Sequence, residues 1–110
     1  MEHPNVTVLS ESESDSLQIV QFKACRHIGL RYNNVLLTFS EKTFQDFVET
    51  YSSINFDRYS IVFPDEKNQH IMNTVVEEVQ FCFTYDEFEN MQQALNGASL
   101  ILQANSLIRY

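Results

Sequence analysis

The 110-residue chain has little of what usually punctuates or staples a fold: two glycines, two prolines, two cysteines and no tryptophan. Asn, Asp and Ser must therefore form most of its turns. A secreted disulfide scaffold of this length usually carries more cysteines, so we expect both thiols to be reduced and the protein to be cytoplasmic. Gly29 and Gly97 stand 68 positions apart. That spacing excludes a glycine-rich phosphate-binding loop.

Basic residues and long apolar runs are scarce as well. Seven Lys and Arg face fifteen Asp and Glu, which gives a formal net charge of −8. Nucleic-acid binding needs clustered Lys and Arg side chains that displace phosphate counterions, whereas the Lys and Arg residues here are scattered. The negative net charge also disfavours binding to an anionic membrane surface. No segment has about 18 consecutive apolar residues, and no basic start leads into a signal-peptide-like apolar run. We predict neither a nucleic-acid nor a membrane partner.

Apolar content, in contrast, is sufficient for a core. Hydrophobic residues make up 44% of the chain, with nine Phe and five Tyr. The length is near the commonest size of one domain, and we predict a single domain over residues 17–110. Residues 1–16 are acidic and rich in Ser, so they are predicted to be a flexible lead-in. The apolar residues within 6–9 would alternatively form an edge strand.

Alternating and β-branched residues predict five strands. They cover residues 17–25, 27–32, 35–39, 58–63 and 75–83. Asn33 and Asn34 suit the tight turn of a hairpin between the second and third strands. The polar stretch 64–74, which begins with Pro64, is predicted to be the longest loop. Glu77 conflicts with the apolar face of the last strand unless it lies at the end of the sheet.

Two helices are predicted from apolar residues at helical spacing. The first runs from about residue 41 to 53 and is capped by Ser40. The second covers about 85–104, after a capping box formed by Thr84 and Glu87. Gly97 costs this helix about 1 kcal/mol relative to Ala and is predicted to bend or end its first segment.

Both helices follow similar strands. "VLLTFSEKTFQDFVETY" (35–51) and "VQFCFTYDEFENMQQAL" (79–95) align without gaps at an offset of 44 residues. An internal duplication explains the match, and so do the demands that any strand-to-helix junction makes. The chain is therefore predicted to be an α+β two-layer sandwich. An antiparallel or mixed sheet of about five strands would carry both helices on one face.

The stretches "CRHIGLRYNNVLLTFSEKTFQDF" and "MNTVVEEVQFCFTYDEFENMQQALNGA" resemble a family of short bacterial proteins with a domain of unknown function. The resemblance covers roughly residues 23–102 and implies no activity. Members of this family often carry a Cys-x-x-Cys pair near the start of the matching region. This chain departs from that pattern, since Phe22 and Ile28 stand three positions either side of Cys25.

Cys25 and His27 are the only pair that suggests site chemistry. A structural zinc site needs four ligands, so His3, His70 and Cys82 would have to converge on them. A cysteine–histidine nucleophile would need an orienting third group and an oxyanion hole. The ordinary interpretation is a buried thiol and a strand-end imidazole. We assign no catalytic residue, cofactor or metal, and an enzyme is disfavoured.

Aromatic residues exceed what the centre of so small a domain accommodates. A two-layer sandwich leaves one sheet face open, and an apolar patch there would need a partner. If Leu36, Tyr59, Phe63 or Cys82 points to that face, it forms such a patch. We therefore predict a non-enzymatic protein-interaction or regulatory module that forms a homodimer or binds another protein. The alternative is a small metal- or ligand-binding protein that uses Cys25 and His27.

Overall fold

The computed structural model describes residues 5–12, 16–74 and 78–108. Their α+β class agrees with the prediction. The elements are β1 (Val6–Glu11), β2 (Leu17–Phe22), β3 (Ile28–Tyr32), β4 (Val35–Phe39), α1 (Glu41–Ser52), β5 (Ser60–Val62), β6 (Asn68–Asn73), β7 (Gln80–Phe83) and α2 (Tyr85–Ile108). A single 3₁₀ turn, Asp57–Tyr59, precedes β5.

The strands form two sheets, so the prediction of one sheet with about five strands is wrong. One sheet has the order β1-β2-β3-β4 and the other β5-β6-β7, and every pairing is antiparallel. Two of these strands lie in stretches that were expected to be irregular. Each of them buries only one or two side chains, so the hydropathy signal is weak: the apolar residues within 6–9 indicated β1 only as an alternative, and the stretch 64–74 was predicted to be a loop.

Strand β6 replaces most of the predicted long loop. It is the central strand of its sheet, and its buried side chains are His70 (3% exposed) and Met72 (4% exposed). The neighbouring residues are mostly Asn and Gln, which disfavour a strand on propensity; pairing on both sides overrides that preference. The turn before β6 is short, because Glu66 adopts a φ of 65° and its amide donates to the Phe63 carbonyl at 2.8 Å.

Strand β1 lies in the stretch predicted to be a flexible lead-in, and that prediction is wrong for Val6–Glu11. The edge-strand alternative is the one observed. Leu9 is 4% exposed and joins the core, while the pairing with β2 is interrupted by a bulge between Val8 and Ser10. Such bulges are common at sheet edges and limit pairing with other chains. Residues 1–4 and 13–15 lie outside the described residues.

The predicted hairpin is confirmed. Tyr32 pairs with Val35, and Asn33 adopts a φ of 54°, which Asn tolerates better than most residues. Strand β2 ends earlier than predicted, because the chain turns after Phe22. The amide of Arg26, whose φ is 62°, donates to the Phe22 carbonyl at 2.8 Å. Gln21 braces this turn by donating from its side-chain amide to the Arg26 carbonyl at 3.0 Å.

Both predicted helix caps are confirmed. The Ser40 hydroxyl accepts from the amide of Thr43 at 3.1 Å. The Thr84 amide donates to the Glu87 carboxylate at 2.9 Å, and the Glu87 amide returns a bond to the Thr84 hydroxyl at 3.3 Å. These reciprocal bonds satisfy two amides at the start of α2 that have no partner within the helix.

Helix α2 is longer than predicted and passes through Gly97 without ending. A β-carbon at Gly97 would lie 3.4 Å from the Ser10 hydroxyl, so the helix approaches β1 closely at this point. The 24 residues of α2 span about 36 Å. The helix packs against β1 and β2 of the four-stranded sheet and against β6 and β7 of the three-stranded sheet.

The two similar stretches serve the same structural roles. Phe39 and Phe83 are buried at the strand ends, and Phe44 and Phe88 are buried in the first turns of the helices. The two helices pack antiparallel. The Tyr51 hydroxyl donates to the Phe88 carbonyl at 2.9 Å, and the two rings stack at a centroid distance of 4.7 Å. The match thus reflects a shared strand, cap and helix unit, whichever origin it has.

We expect Tyr51→Phe to lower the free energy of unfolding by about 1–2 kcal/mol, because it leaves the buried Phe88 carbonyl without this donor while keeping the stacked ring. Urea unfolding followed by circular dichroism measures the change. Tyr85→Phe is the matched control, since that ring is 55% exposed, and it should cost less than about 0.5 kcal/mol. Equal effects of the two substitutions would contradict a stabilising role for the bond.

Candidate interaction surface

Cys25 and His27 lie in the turn between β2 and β3, and both are exposed. The prediction of a buried thiol is therefore wrong, because the strand ends at Phe22, before it reaches Cys25. His70 lies in β6 and Cys82 in β7, away from this turn. His3 is outside the described residues. Among the described residues, no three His, Cys, Asp or Glu side chains come together in a way that could hold a metal ion.

Tyr32 and Glu87 form a polar contact that sequence spacing does not reveal. The Tyr32 hydroxyl donates to the Glu87 carboxylate at 2.6 Å, which links β3 to the first turn of α2. The ring of Tyr32 also meets Phe81 and Phe83 edge-on, at centroid distances of 5.7 and 5.3 Å. The pair thus joins the four-stranded sheet to the second strand–helix unit.

The environment of this pair shifts both pKa values. Partial burial raises the pKa of Glu87, but the hydrogen bonds from Tyr32 and Thr84, together with the charge of Lys67, outweigh it and leave the pKa below its ordinary value. Burial, followed by the bond to Glu87 and its charge, raises the pKa of Tyr32. The carboxylate therefore accepts and the phenol donates throughout the neutral range. This contact is structural, since the cleft beside it has a volume of only about 110 Å³.

The four-stranded sheet has an open face on the side away from its buried side chains. In β2 the buried residues alternate with half-buried Gln18, Val20 and Phe22. The register places Val8 and Gly29 on either side of Val20. The apolar side chains on this open face, which we call the outer patch, are Val6, Val8, Val20, Phe22 and Leu36.

Two of these side chains are exposed, Val8 at 37% and Leu36 at 53%. The ring of Phe22 lies over Gly29, where a β-carbon would be 2.9 Å from its ring edge. The glycine thus lets an aromatic ring lie flat on the sheet. The result is a flat apolar surface that extends from β1 to β4.

One acid and one base stand at the margin of the outer patch. Gln18 pairs with Glu11 of β1 on one side and with Arg31 of β3 on the other, so the three form one row across the sheet. The Gln18 side-chain amide donates to the Glu11 carboxylate at 3.5 Å. The charges of Glu11 and Arg31 cancel, so this face is locally neutral although the chain has a net charge of −8.

Of the four side chains considered for an outward face, Leu36 lies in the outer patch. Cys82 is exposed on the other sheet, and Phe63 is half-buried after β5. The side chain of Tyr59 is outside the described residues. Sequence reasoning assigned no outward face to Val8, Val20 or Phe22. In β2, polar Gln21 is buried on the same face as Ile19 while Val20 faces outward, so the positions of the polar residues do not show which face is covered.

A second surface feature is an apolar cleft of about 310 Å³ between α1 and β6. Phe47, Tyr51 and Ile54 line one side of it, and Met72 and the buried His70 line the other. Its volume is at the lower end of the range for small-molecule sites.

Among the described residues, no helix is both long enough and apolar enough to cross a bilayer.

Comparisons of the chain with protein-family models, with curated proteins and with solved structures each found no match. The resemblance to short bacterial proteins therefore stays a prediction.

The Tyr32–Glu87 bond is expected to make stability depend on pH. Folding lowers the pKa of Glu87, so the ionised carboxylate contributes to the free energy of unfolding. That contribution is fully present above the unfolded-state pKa of about 4.3 and is lost as the pH falls through the lower folded-state pKa. A double-mutant cycle of Tyr32→Phe and Glu87→Gln should give a coupling of about 1 kcal/mol at pH 7, after allowance for partial exposure. The coupling should approach zero in acid. A cycle without coupling at pH 7 would show that the bond is not stabilising.

Proposed function

We propose that the protein is a non-enzymatic protein-interaction module that forms a homodimer in the cytoplasm. The observation that supports this most directly is the outer patch, an apolar surface with balanced charge on an otherwise acidic protein. Contiguous apolar surface on a soluble domain commonly marks a binding site. The membership of a bacterial family of unknown function, suggested by residues 23–102, is part of this proposal.

A second copy of the chain suits the outer patch because of charge. Two molecules with a net charge of −8 repel each other wherever acids meet. On this face Glu11 and Arg31 flank Gln18 at about equal distances, since each is one strand away. A two-fold axis that runs along β2, above the patch, sets Glu11 of each copy opposite Arg31 of the other. The same rotation stacks the two outer patches.

The size of the patch indicates a weak dimer. Strands lie about 4.8 Å apart and alternate residues about 7 Å apart, so four strands and three rows cover roughly 400 Å². A standard interface buries about 800 Å² on each partner. Contacts around the margin, including the Glu11–Arg31 pairs, must then contribute, and we expect dissociation in the micromolar range.

Charge reversal tests this arrangement. Glu11→Arg or Arg31→Glu alone places like charges opposite each other at two symmetric positions, and each should weaken the dimer about tenfold or more. The double variant restores opposite charges and should recover dimerisation. Sedimentation velocity over a range of concentrations measures the dissociation constant. Glu49→Arg, which changes the charge equally on the exposed side of α1, is the matched control.

Failure of the double variant to recover would contradict the face-to-face arrangement. A wild-type protein that stays monomeric at hundreds of micromolar would contradict the homodimer itself. Native mass spectrometry before and after chelator adds the subunit count and any bound metal in one measurement.

A small-ligand role is the second candidate, and the cleft between α1 and β6 is the observation that favours it. The residues first proposed for such a role, Cys25 and His27, lie elsewhere, in the exposed β2–β3 turn. A zinc titration of wild type and Cys25→Ser separates a metal site in the turn from a ligand site in the cleft. Zinc binding that the substitution abolishes would support the turn as a metal site, whereas ligand-induced shifts of the Met72 methyl resonance would point to the cleft.

A further inference from the structure

We propose that the groove between α1 and the C-terminal half of α2 binds an amphipathic helix of another protein, one that carries Lys or Arg beside its apolar stripe. This site lies on the helical layer of the molecule. It is separate from the outer patch and goes beyond the proposed homodimer.

The groove follows from the packing of the two helices. They run antiparallel, since Tyr51 bonds to Phe88 near one end and Gln45 contacts the Ser99 hydroxyl at 2.6 Å nearer the other. Beyond that contact a groove of about 820 Å³ opens between them. Buried Val48 and Leu102 line it, and Leu107 stands at its margin. Its base is therefore apolar, and polar side chains of both helices, among them Gln45, Gln103 and Ser106, complete its lining.

Helix α2 presents apolar side chains beyond those that it buries. Leu100 is 65% exposed and Leu107 is 77% exposed, and both lie on one side of the helix seven residues apart. Ile101 and Ile108 repeat the spacing on the neighbouring side, at 42% and 79% exposure. Of these four side chains Leu107 lines the groove, and the other three lie on α2 outside it. A helix that is apolar on its outward side as well as its inward side is typical of one that is covered by another element.

The charges of the two walls differ, and they specify the occupant. From Asn90 to Ile108 the sequence of α2 has no charged residue. The exposed side of α1 carries three acids and one base: Glu41, Asp46, Glu49 and Lys42. Lys42 is already paired with Asp46 at 3.3 Å. Glu41 lies 3.7 Å from Arg26 and accepts from the Gln21 side-chain amide at 2.7 Å, while its side chain remains 40% exposed, and Glu49 is exposed. A second acidic copy is disfavoured beside this wall, whereas a basic helix is attracted to it.

The geometry also predicts spacing in the partner. Glu41 and Glu49 are eight residues apart and so about 12 Å apart along α1. A helix lying in the groove meets both when its basic residues are seven or eight positions apart. Its apolar residues, at i, i+3, i+4 and i+7, then contact Leu102, Val48 and Leu107, as in other helix-in-groove complexes.

A synthetic 18-residue helix of Leu and Lys with this spacing is a suitable probe, and a helix with Glu in place of every Lys is its matched control. Fluorescence anisotropy with the full chain should show saturable binding of the Leu/Lys helix and at least tenfold weaker binding of the Leu/Glu helix. Leu107→Glu should weaken binding of the Leu/Lys helix about tenfold, although it makes the protein more acidic. Gln93→Glu adds the same charge at an exposed site on α2 outside the groove, and it should leave the affinity within about twofold.

Several outcomes would overturn this inference. Tighter binding by Leu107→Glu would show that the peptide adsorbs to negative charge without entering the groove. Equal affinity for both peptides would remove the charge argument. Loss of the homodimer in Leu107→Glu would show that a second copy occupies the groove. Binding that persists in a monomeric Glu11→Arg variant would support the groove site independently of the outer patch.

Discussion

The packing of α2 against both sheets is the constraint on which the rest of the structure depends. The two sheets share no strand, and each is too small to bury both of its faces. Met91, Leu95 and Ala98 are fully buried along α2, which contacts β1 and β2 on one side and β6 and β7 on the other. The capping box fixes where this helix starts, and the Tyr32–Glu87 bond fixes that start relative to β3. Loss of this helix packing would separate the two halves of the molecule.

The sequence predicted the elements whose signals are local. Ser40 and Thr84 followed by helical spacing define both helix starts, and Asn33-Asn34 defines the hairpin turn, because caps and turns depend on residues within one turn of each other. It did not predict β6, where Asn and Gln surround His70, Ile71 and Met72, and where pairing with strands on both sides stabilises the strand. It also did not reveal that the sheet divides into two. Strand partners are set by contacts distant in sequence, which a single sequence does not display.

The candidate surface was partly predictable for a related reason. An excess of aromatic and aliphatic residues indicated that some must face outward, and Leu36 does. The outward position of Phe22 depends on Gly29 in the neighbouring strand, where no side chain stands beneath the ring. That relation exists only once the register of β2 and β3 is known. Cys25 shows the opposite error, since its sequence neighbourhood suggested a strand, while the backbone turns at Arg26 and leaves the thiol exposed.

The two proposed surfaces lie on opposite sides of the four-stranded sheet, because the outer patch faces away from the core while α1 and α2 cover the other side. A dimer formed through the patch would therefore leave both helix grooves accessible and directed away from each other. Two grooves in one dimer would allow a partner with two basic helices to occupy both. Once the first helix is bound, the linker between the helices sets the effective concentration of the second, and the avidity rises without any new contact. A weak dimer is compatible with this arrangement, since a bivalent partner stabilises the dimer that it binds.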